Sequence, residues 1–491
     1  MTRVFCILLV LCILLSSCTG AGPFQNEELL RPPRLTEEQR EIENALIASV
    51  NSENLTFKYP KSGEHRSAFI FHDIDGDSQE EALVFYMTNA SDSTFLSVLD
   101  RMPDGKWYSP YAIGGPEGNV EFVEFAPMTD KSRYDILVGW SDVSGQQKRL
   151  TVYSYLNGRL ENRFKDGPQS YETYLAADLD GDQLSELALI SIDRDDRSHW
   201  LHLFAYNGFA VDVYANDVAL SSYMMGCAGI ISGRISQTDP RIGIFIDEIL
   251  EDTLVTEVFV CERPAGGEDN RRSVGKFLKN IIWEGMTDPS SAPSKDAAGS
   301  LEEDFEETST FTLYELTRRP GNTDICRDIN GDGIIEIPTG RLMPGYEDYD
   351  TADQVYLTQY KHLQNNALGN VYSAAINWNS GYQVEFPPSW VDHVTVVSQP
   401  ENNEWRFIEY NSQLQNNPLE DWSSELMRIR VVSHKDYQDR SIENYTVLAV
   451  RGAFTYYGYI PETASGSLSI TMEQLKDKMF FLTERKGVIE T

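Results

Sequence analysis

Basic residues are the scarce component of this 491-residue sequence: 41 Lys and Arg face 76 Asp and Glu, for a formal net charge of −35. A surface this acidic repels phosphate backbones, which argues against nucleic acid as a partner. It also lacks the cationic character that anionic lipid surfaces attract. Long hydrophobic runs are missing as well. Beyond Leu15 no stretch reaches the ~18 apolar residues that a membrane-spanning helix needs. Catalytic signatures are absent too. The seven histidines (His65, His72, His199, His202, His362, His393 and His434) show no metal-ligand spacing such as HExxH. No GxSxG elbow, Walker loop or GxGxxG occurs. Acidic pairs are too abundant for a glycosidase-like couple to be singled out. What the chain does have is 41% hydrophobic and 11% aromatic residues, which excludes a disordered acidic polymer. Its length suggests roughly two to four domains.

The N-terminus bears on compartment. A short basic start, Met1-Thr2-Arg3, precedes an apolar run from Val4 to Leu15. The run is too short for a span but suits the core of a signal peptide. It ends in Leu15-Ser16-Ser17-Cys18, which resembles a bacterial lipobox. The resemblance implies cleavage after residue 17, acylation of the Cys18 thiol and a mature chain tethered outside the cytoplasm by lipid. Residues 18–34 then read as tether. Of the six cysteines, Cys6 and Cys12 leave with the leader, and Cys227, Cys261 and Cys326 remain without metal-type spacing. They read as small buried thiols, although one disulfide is open to them.

Residues 35–56 are expected to form a helix and lead-in. Thr36 and Gln39 have capping-box spacing, and Ile42, Ala45, Leu46 and Val50 recur on one face. From about Phe57 the pattern turns to short strands.

Within that region one motif occurs three times. The copies are Asp73-Ile74-Asp75-Gly76-Asp77-Ser78-Gln79-Glu80-Glu81, Asp178-Leu179-Asp180-Gly181-Asp182-Gln183-Leu184-Ser185-Glu186 and Asp328-Ile329-Asn330-Gly331-Asp332-Gly333-Ile334-Ile335-Glu336. Each copy puts oxygen-bearing side chains at positions 1, 3, 5 and 9, with Gly at position 4. A hard cation such as Ca²⁺ takes six to eight oxygens, and this spacing folds them around one point. The carbonyl at position 7 (Gln79, Leu184 or Ile334) is expected to add a ligand. Without a cation, carboxylates crowded this closely repel one another. An EF-hand is excluded, because its bidentate Glu sits at position 12. Here that position holds Val84, Leu189 and Thr339.

Strands flank the loops instead, as in Ala68 to Phe71 and Ala82 to Tyr86 around the first copy. This strand–DxDGD–strand arrangement resembles integrin-type FG-GAP repeats, found also in bacterial VCBS proteins. The resemblance implies β-propeller blades with structural Ca²⁺, up to three ions here. Two weaker frames, around Phe122 to Gly139 and Gly229 to Ile246, lack the acidic cluster. Position 1 of the frames then falls at residues 73, 127, 178, 233 and 328, the first four spaced by about fifty residues, which suits a four-stranded blade. Between Glu81 and Phe125 the expected strands are 82–87, 94–101, 106–113 and 121–126, with Asp104-Gly105 as a hairpin turn. The fold expected over residues 57–380 is a mainly β propeller of about five four-stranded blades. Residues 265–308 read as an inserted solvated loop rich in Gly, Ser, Pro, Asp and Glu.

From residue 381 to 491 the repeat gives way to a C-terminal α+β domain. It comprises a series of strands and a closing amphipathic helix from Ile470 to Arg485. The functional expectation is a lipid-anchored extracytoplasmic binding or scaffold protein with a surface protein or glycan as ligand. The alternative is a cell-surface polysaccharide hydrolase or lyase built on a propeller. Fold alone does not choose between them.

Overall fold

The computed structural model describes residues 35–482 apart from 263–276, 285–316, 412–418, 420–423, 436–441 and a few shorter gaps. The expected leader, Cys18, the expected tether and most of the expected insertion lie outside the described residues. Within that insertion, Phe277–Asn280 is a strand and Ile281–Glu284 a short helix.

The described residues are mainly β, laid out as six antiparallel sheets of five strands each. The first contains Leu55–Lys58, Phe69–His72, Glu81–Thr88, Ser91–Arg101 and Trp107–Gly114. The second runs from Asn119–Ala126 through Asp135–Ser141 and Lys148–Leu156 to two short edge strands. The third contains Thr173–Ala177, Glu186–Ile192 and His199–Tyr206, again with two short edge strands. The fourth contains Gly226–Arg234, Ile242–Leu250 and Thr253–Glu262, with Phe277–Asn280 and Arg319–Pro320 sharing its edge. In all four, the strand before each loop of the repeat frame pairs with the strand after it.

That pairing corrects the first expected blade. Asn119–Ala126 does not complete the sheet that begins at Glu81. It pairs with Asp135–Ser141 and opens the second sheet, while Phe69–His72 belongs to the first. The Asp104-Gly105 turn is present, with the Gly105 N–H donating to the Met102 carbonyl at 2.8 Å.

Side-chain alternation explains why the sheets stack in series. In Glu81–Thr88, Leu83 and Phe85 face the second sheet, packing with Ile136, Val138 and Trp140. Ala82, Val84 and Tyr86 face the other way, onto Ile42 and Leu46 of the helix Glu37–Val50. Its capping box forms as expected, with Gln39 N–H to Thr36 Oγ1 at 3.2 Å and the reciprocal bond at 3.0 Å. Further clusters join the second sheet to the third, the third to the fourth, and the fourth to the fifth. A strand covered on both faces is apolar almost without interruption, as in Leu187-Ala188-Leu189-Ile190.

The fifth sheet contains Ile337–Leu342, Tyr356–Gln364, Ala367–Asn377, Tyr382–Glu385 and Met479–Phe481. It therefore runs through residue 381 and takes a strand from near the C-terminus. The closing helix is correspondingly shorter than expected. It spans Met472–Lys478 with a Thr471/Gln474 capping box, and Met479–Phe481 leaves it to pair with Tyr382, Gln383 and Val384. The sixth sheet, Val394–Gln399, Glu404–Glu409, Glu425–Ser433, Phe454–Tyr459 and Thr446–Arg451, packs on the fifth through Trp390, Phe407, Met427 and Leu475. Among the described residues, no helix is long and apolar enough to cross a membrane.

Candidate metal centres

The repeat-frame loops lie together at one end of the sheets. Backbone bonds link them: Tyr134 N–H donates to Ile74 C=O at 2.9 Å, and Ser185 N–H to Pro127 C=O at 2.8 Å. Beside the third acidic copy, Ile335 N–H donates to Arg234 C=O at 3.0 Å.

All three acidic loops share one conformation. The position-1 carboxylate clasps the turn with both oxygens. Asp73 accepts from Gly76 and Ser78 N–H (2.9 and 3.0 Å), Asp178 from Gly181 and Gln183 (2.7 and 2.9 Å), and Asp328 from Gly331 and Gly333 (2.6 and 2.7 Å). Position 3 accepts from the N–H of position 5 through Asp75, Asp180 and Asn330. Position 5 accepts from position 7: Asp77 from Gln79, Asp182 from Leu184 and Asp332 from Ile334. Finally, the buried position-9 glutamate accepts from the N–H of position 2. Glu81 does so from Ile74 at 2.8 Å, Glu186 from Leu179 at 2.8 Å and Glu336 from Ile329 at 2.9 Å.

The turn requires left-handed backbone at two positions. Gly76, Gly181 and Gly331 have φ of 79–80°, which glycine adopts freely. Position 6 is left-handed as well, at Ser78, Gln183 and Gly333. The three glycines of position 4 have different surroundings. A Cβ on Gly76 would lie 2.2 Å from the Ser132 carbonyl of the neighbouring loop, whereas one on Gly181 meets nothing within 4 Å. Gly181→Ala is therefore expected to cost about 1 kcal/mol for the backbone alone. Gly76→Ala is expected to cost about 2 kcal/mol more for the clash. Urea denaturation of the two variants checks this difference.

Among the described residues, two acidic groups are gathered so that they can hold a metal ion: Asp73, Asp75 and Glu81, and Asp178, Asp180 and Glu186. In each, one oxygen per residue lies within 4.8 Å of the others. Positions 1, 3 and 9 thus come together, while Asp77 and Asp182 remain outside the groups. The third loop is arranged differently at position 3. There the Asn330 amide donates to Asp332 at 3.2 Å and to Glu336 at 3.3 Å, placing its N–H groups between two carboxylates.

The electrostatics fit a cation. Burial, reinforced by the charge of Asp75, pushes Glu81 up to about 7 despite the Ile74 N–H bond. Burial with Asp180, Asp182 and Asp178 nearby pushes Glu186 up to about 8. For Glu336, burial with Asp332 and Asp328 gives about 7. Asp75 is also raised, first by burial and then by Asp77. One oxygen of Glu81 is buried without a hydrogen-bond partner, a place a cation would satisfy.

The weaker frame at 127–135 shows the same scaffold with an internal cation. Asp135, at position 9, accepts from Met128 N–H at 3.1 Å and Thr129 N–H at 2.7 Å. Arg133 donates to Asp130 at 2.9 Å and holds that carboxyl well below the usual range. Asp135 was recognisable only as an acid at position 9 of a frame lacking the others.

Three further features lie beside these carboxylate sets or elsewhere in the sheets. Cys227, Cys261 and Cys326 form no disulfide; Cys326 is buried and the other two are half-buried. Asp247 and Arg319, both almost fully buried, pair at 2.7 Å. His72, just before the first loop, stacks on Phe125 with ring centroids 4.0 Å apart.

No family model matches the chain, and no curated protein matches it.

Proposed function

We propose that this chain is a lipid-anchored extracytoplasmic binding or scaffold protein, built on propeller-type blades that Ca²⁺ stabilises at the acidic loops. One observation carries the reading: the same nine-residue loop, with the same hydrogen bonds, leads into a strand of the first, the third and the fifth sheet. Four consecutive sheets whose strands pair across a frame loop, and a fifth that starts directly after one, support blades of the FG-GAP type. The helix Glu37–Val50 covers the outer face of the first sheet and the sixth sheet covers that of the fifth. This packing favours blades in series, capped at both ends, over a ring in which those faces meet.

Asp73, Asp75 and Glu81 would hold one ion, and Asp178, Asp180 and Glu186 a second. Asp77, Asp182 and the carbonyls of Gln79 and Leu184 would complete the shells. Asp328, Asn330, Asp332, Ile334 and Glu336 are the third candidate set, in which the Asn330 amide must turn its oxygen inward. The ion supplies positive charge that offsets carboxylate repulsion and ties the end of each sheet. With the loops serving structure, recognition of a surface protein or glycan falls to the connections between outer strands.

Cys18 is the proposed attachment point to the membrane. Full-length protein made in a bacterial host with an alkyne-tagged fatty acid is expected to take up the label, and Cys18→Ser to lose it entirely. Uptake by Cys18→Ser equal to wild type would remove the anchor from the reading. Incubation of the protein with cell-wall and glycan fractions tests the binding role. Retention without release of fragments supports it, and fragment release supports a hydrolase or lyase instead.

A further inference from the structure

Three polar side chains meet at the end of the third sheet opposite the acidic loops. Ser191 lies five residues beyond Glu186 in the strand Glu186–Ile192, about 17 Å from it along the strand. Ser191 Oγ stands 2.7 Å from His202 Nε2, and His202 Nδ1 stands 2.8 Å from Asp217 Oδ1. The strand register explains the meeting. Leu189 pairs with His202 and Ser191 with Trp200, so these four side chains share one face. Val218 pairs with Leu201 and Ala219 with Trp200, which brings Asp217 alongside His202. No spacing along the chain announces the group, because its members come from three separate segments.

The order of the contacts fixes the protons. The Asp217 carboxylate can only accept, so Nδ1 carries the ring proton, Nε2 is left as the acceptor, and the Ser191 hydroxyl donates to it. A serine hydroxyl that donates to a histidine, itself oriented by a carboxylate, is the arrangement that activates a weak nucleophile. Geometry and roles define such a triad, whatever the order of its members in the chain. The group is also open to solvent. On the same face Leu187 and Leu189 are fully buried against the second sheet. Ser191 is only half-buried, and the His202 and Asp217 side chains are 24% and 47% exposed, so a reactant can reach the hydroxyl. Trp200, directly across from Ser191, is half-buried, and its indole N–H donates to Ser198 Oγ at 2.9 Å, which holds the ring in place.

We propose that Ser191, His202 and Asp217 form a nucleophilic site that hydrolyses an uncharged ester, with Trp200 as an apolar wall for its acyl group. Ser191 Oγ bonds to the acyl carbon while its proton passes to His202 Nε2. The ester C–O bond then breaks, and the departing alcohol oxygen takes that proton. Water next gives a proton to Nε2 as its oxygen bonds to the acyl carbon. The bond to Ser191 breaks, the acid leaves, and the proton returns to the serine. Asp217 is the positioning residue and holds the ring in the reactive tautomer. Its charge, with the net charge of −35, disfavours an anionic ester. This activity goes beyond the binding role and does not rest on the calcium loops or the anchor.

A fluorophosphonate probe, which bonds to an activated serine with loss of fluoride, tests the site on the full chain. Mass spectrometry of the labelled protein is expected to place the adduct on Ser191, and p-nitrophenyl butyrate should be hydrolysed. Ser191→Ala should lose both. His202→Gln should slow labelling about hundredfold. Asp217→Asn should slow it as well, and Asp217→Glu should recover part of the rate. Because Asp217 is exposed, its variants should melt with the wild type, so their labelling rates read the chemistry even where His202→Gln weakens the fold. A triad that only braces the sheet would shift melting temperatures and leave the probe unreacted. No adduct, an adduct only on other residues, or wild-type labelling of His202→Gln or Asp217→Asn overturns the proposal.

Discussion

Arg319→Leu is expected to destabilise the protein by about 3–5 kcal/mol, the cost of breaking a buried pair from one side. All the groups around this guanidinium are fixed. It donates to Asp247 at 2.7 Å, to Thr256 Oγ1 at 3.0 Å, and to the carbonyls of Thr317 and Asp324 at 3.1 and 2.6 Å. Asp247 sits in the fourth sheet and also accepts from Cys326 N–H at 2.7 Å, in the segment leading to the fifth. The pair lies within the fourth sheet, and its bonds to the Asp324 carbonyl and the Cys326 N–H tie it to the segment that leads to the fifth. The Cys326 thiol, 3.0 Å from the same carboxylate, is held neutral by burial and serves as a further donor. Leucine would leave Asp247 buried without its cation. Replacing both residues, as in Asp247→Leu with Arg319→Leu, removes the stranded charge and should recover a large part of the loss. Urea midpoints at constant slope measure all three variants. A loss below about 1 kcal/mol in the single variant would show that water or a local opening reaches Asp247.

None of that network is legible in the sequence, and the reason is separation along the chain. Asp247, Thr256, Arg319 and Cys326 meet only when strands from distant segments are stacked, and no spacing rule connects them. The acidic loops are the opposite case. Asp73 and Glu81 meet through a local turn, so their spacing alone specifies the geometry, and the glycines at position 4 mark where the backbone must turn left-handed. Strands covered on both faces were legible as apolar runs. Their grouping into sheets was less so, because the strand Asn119–Ala126 reads equally well as the last of one sheet or the first of the next. The same ambiguity hid Met479–Phe481. Three apolar residues after a helix continue its pattern, and only the open edge of Tyr382–Glu385, nearly a hundred residues earlier, turns them into a strand.

Calcium is expected to raise the melting temperature, and by more at pH 8 than at pH 5.5. In the metal-free fold, burial lifts Glu81 to about 7, Glu186 to about 8 and Glu336 to about 7, against 4.5 for an ordinary glutamate. A carboxyl that is harder to ionise when folded stabilises the fold only while protonated. Its contribution is complete below about pH 4.5 and is lost as pH rises through 7 to 8. In chelator, stability should therefore fall across that window. A cation reverses the balance, because it binds the ionised carboxylate and displaces the proton. At calcium a hundredfold above its dissociation constant, each occupied site adds about 2.7 kcal/mol. Glu248 also titrates upward, through burial and the charge of Glu257. It does so equally with and without calcium, so the difference between the two conditions isolates the loops. Glu186→Gln separates the two effects within one site. The amide oxygen can still accept from Leu179, but neither the proton nor the full cation charge is held. At pH 8 the variant should be more stable than wild type in chelator and less stable in calcium. Melting curves that coincide in calcium and chelator at pH 8 would exclude structural calcium, and a full calcium shift in Glu186→Gln would place the ion elsewhere.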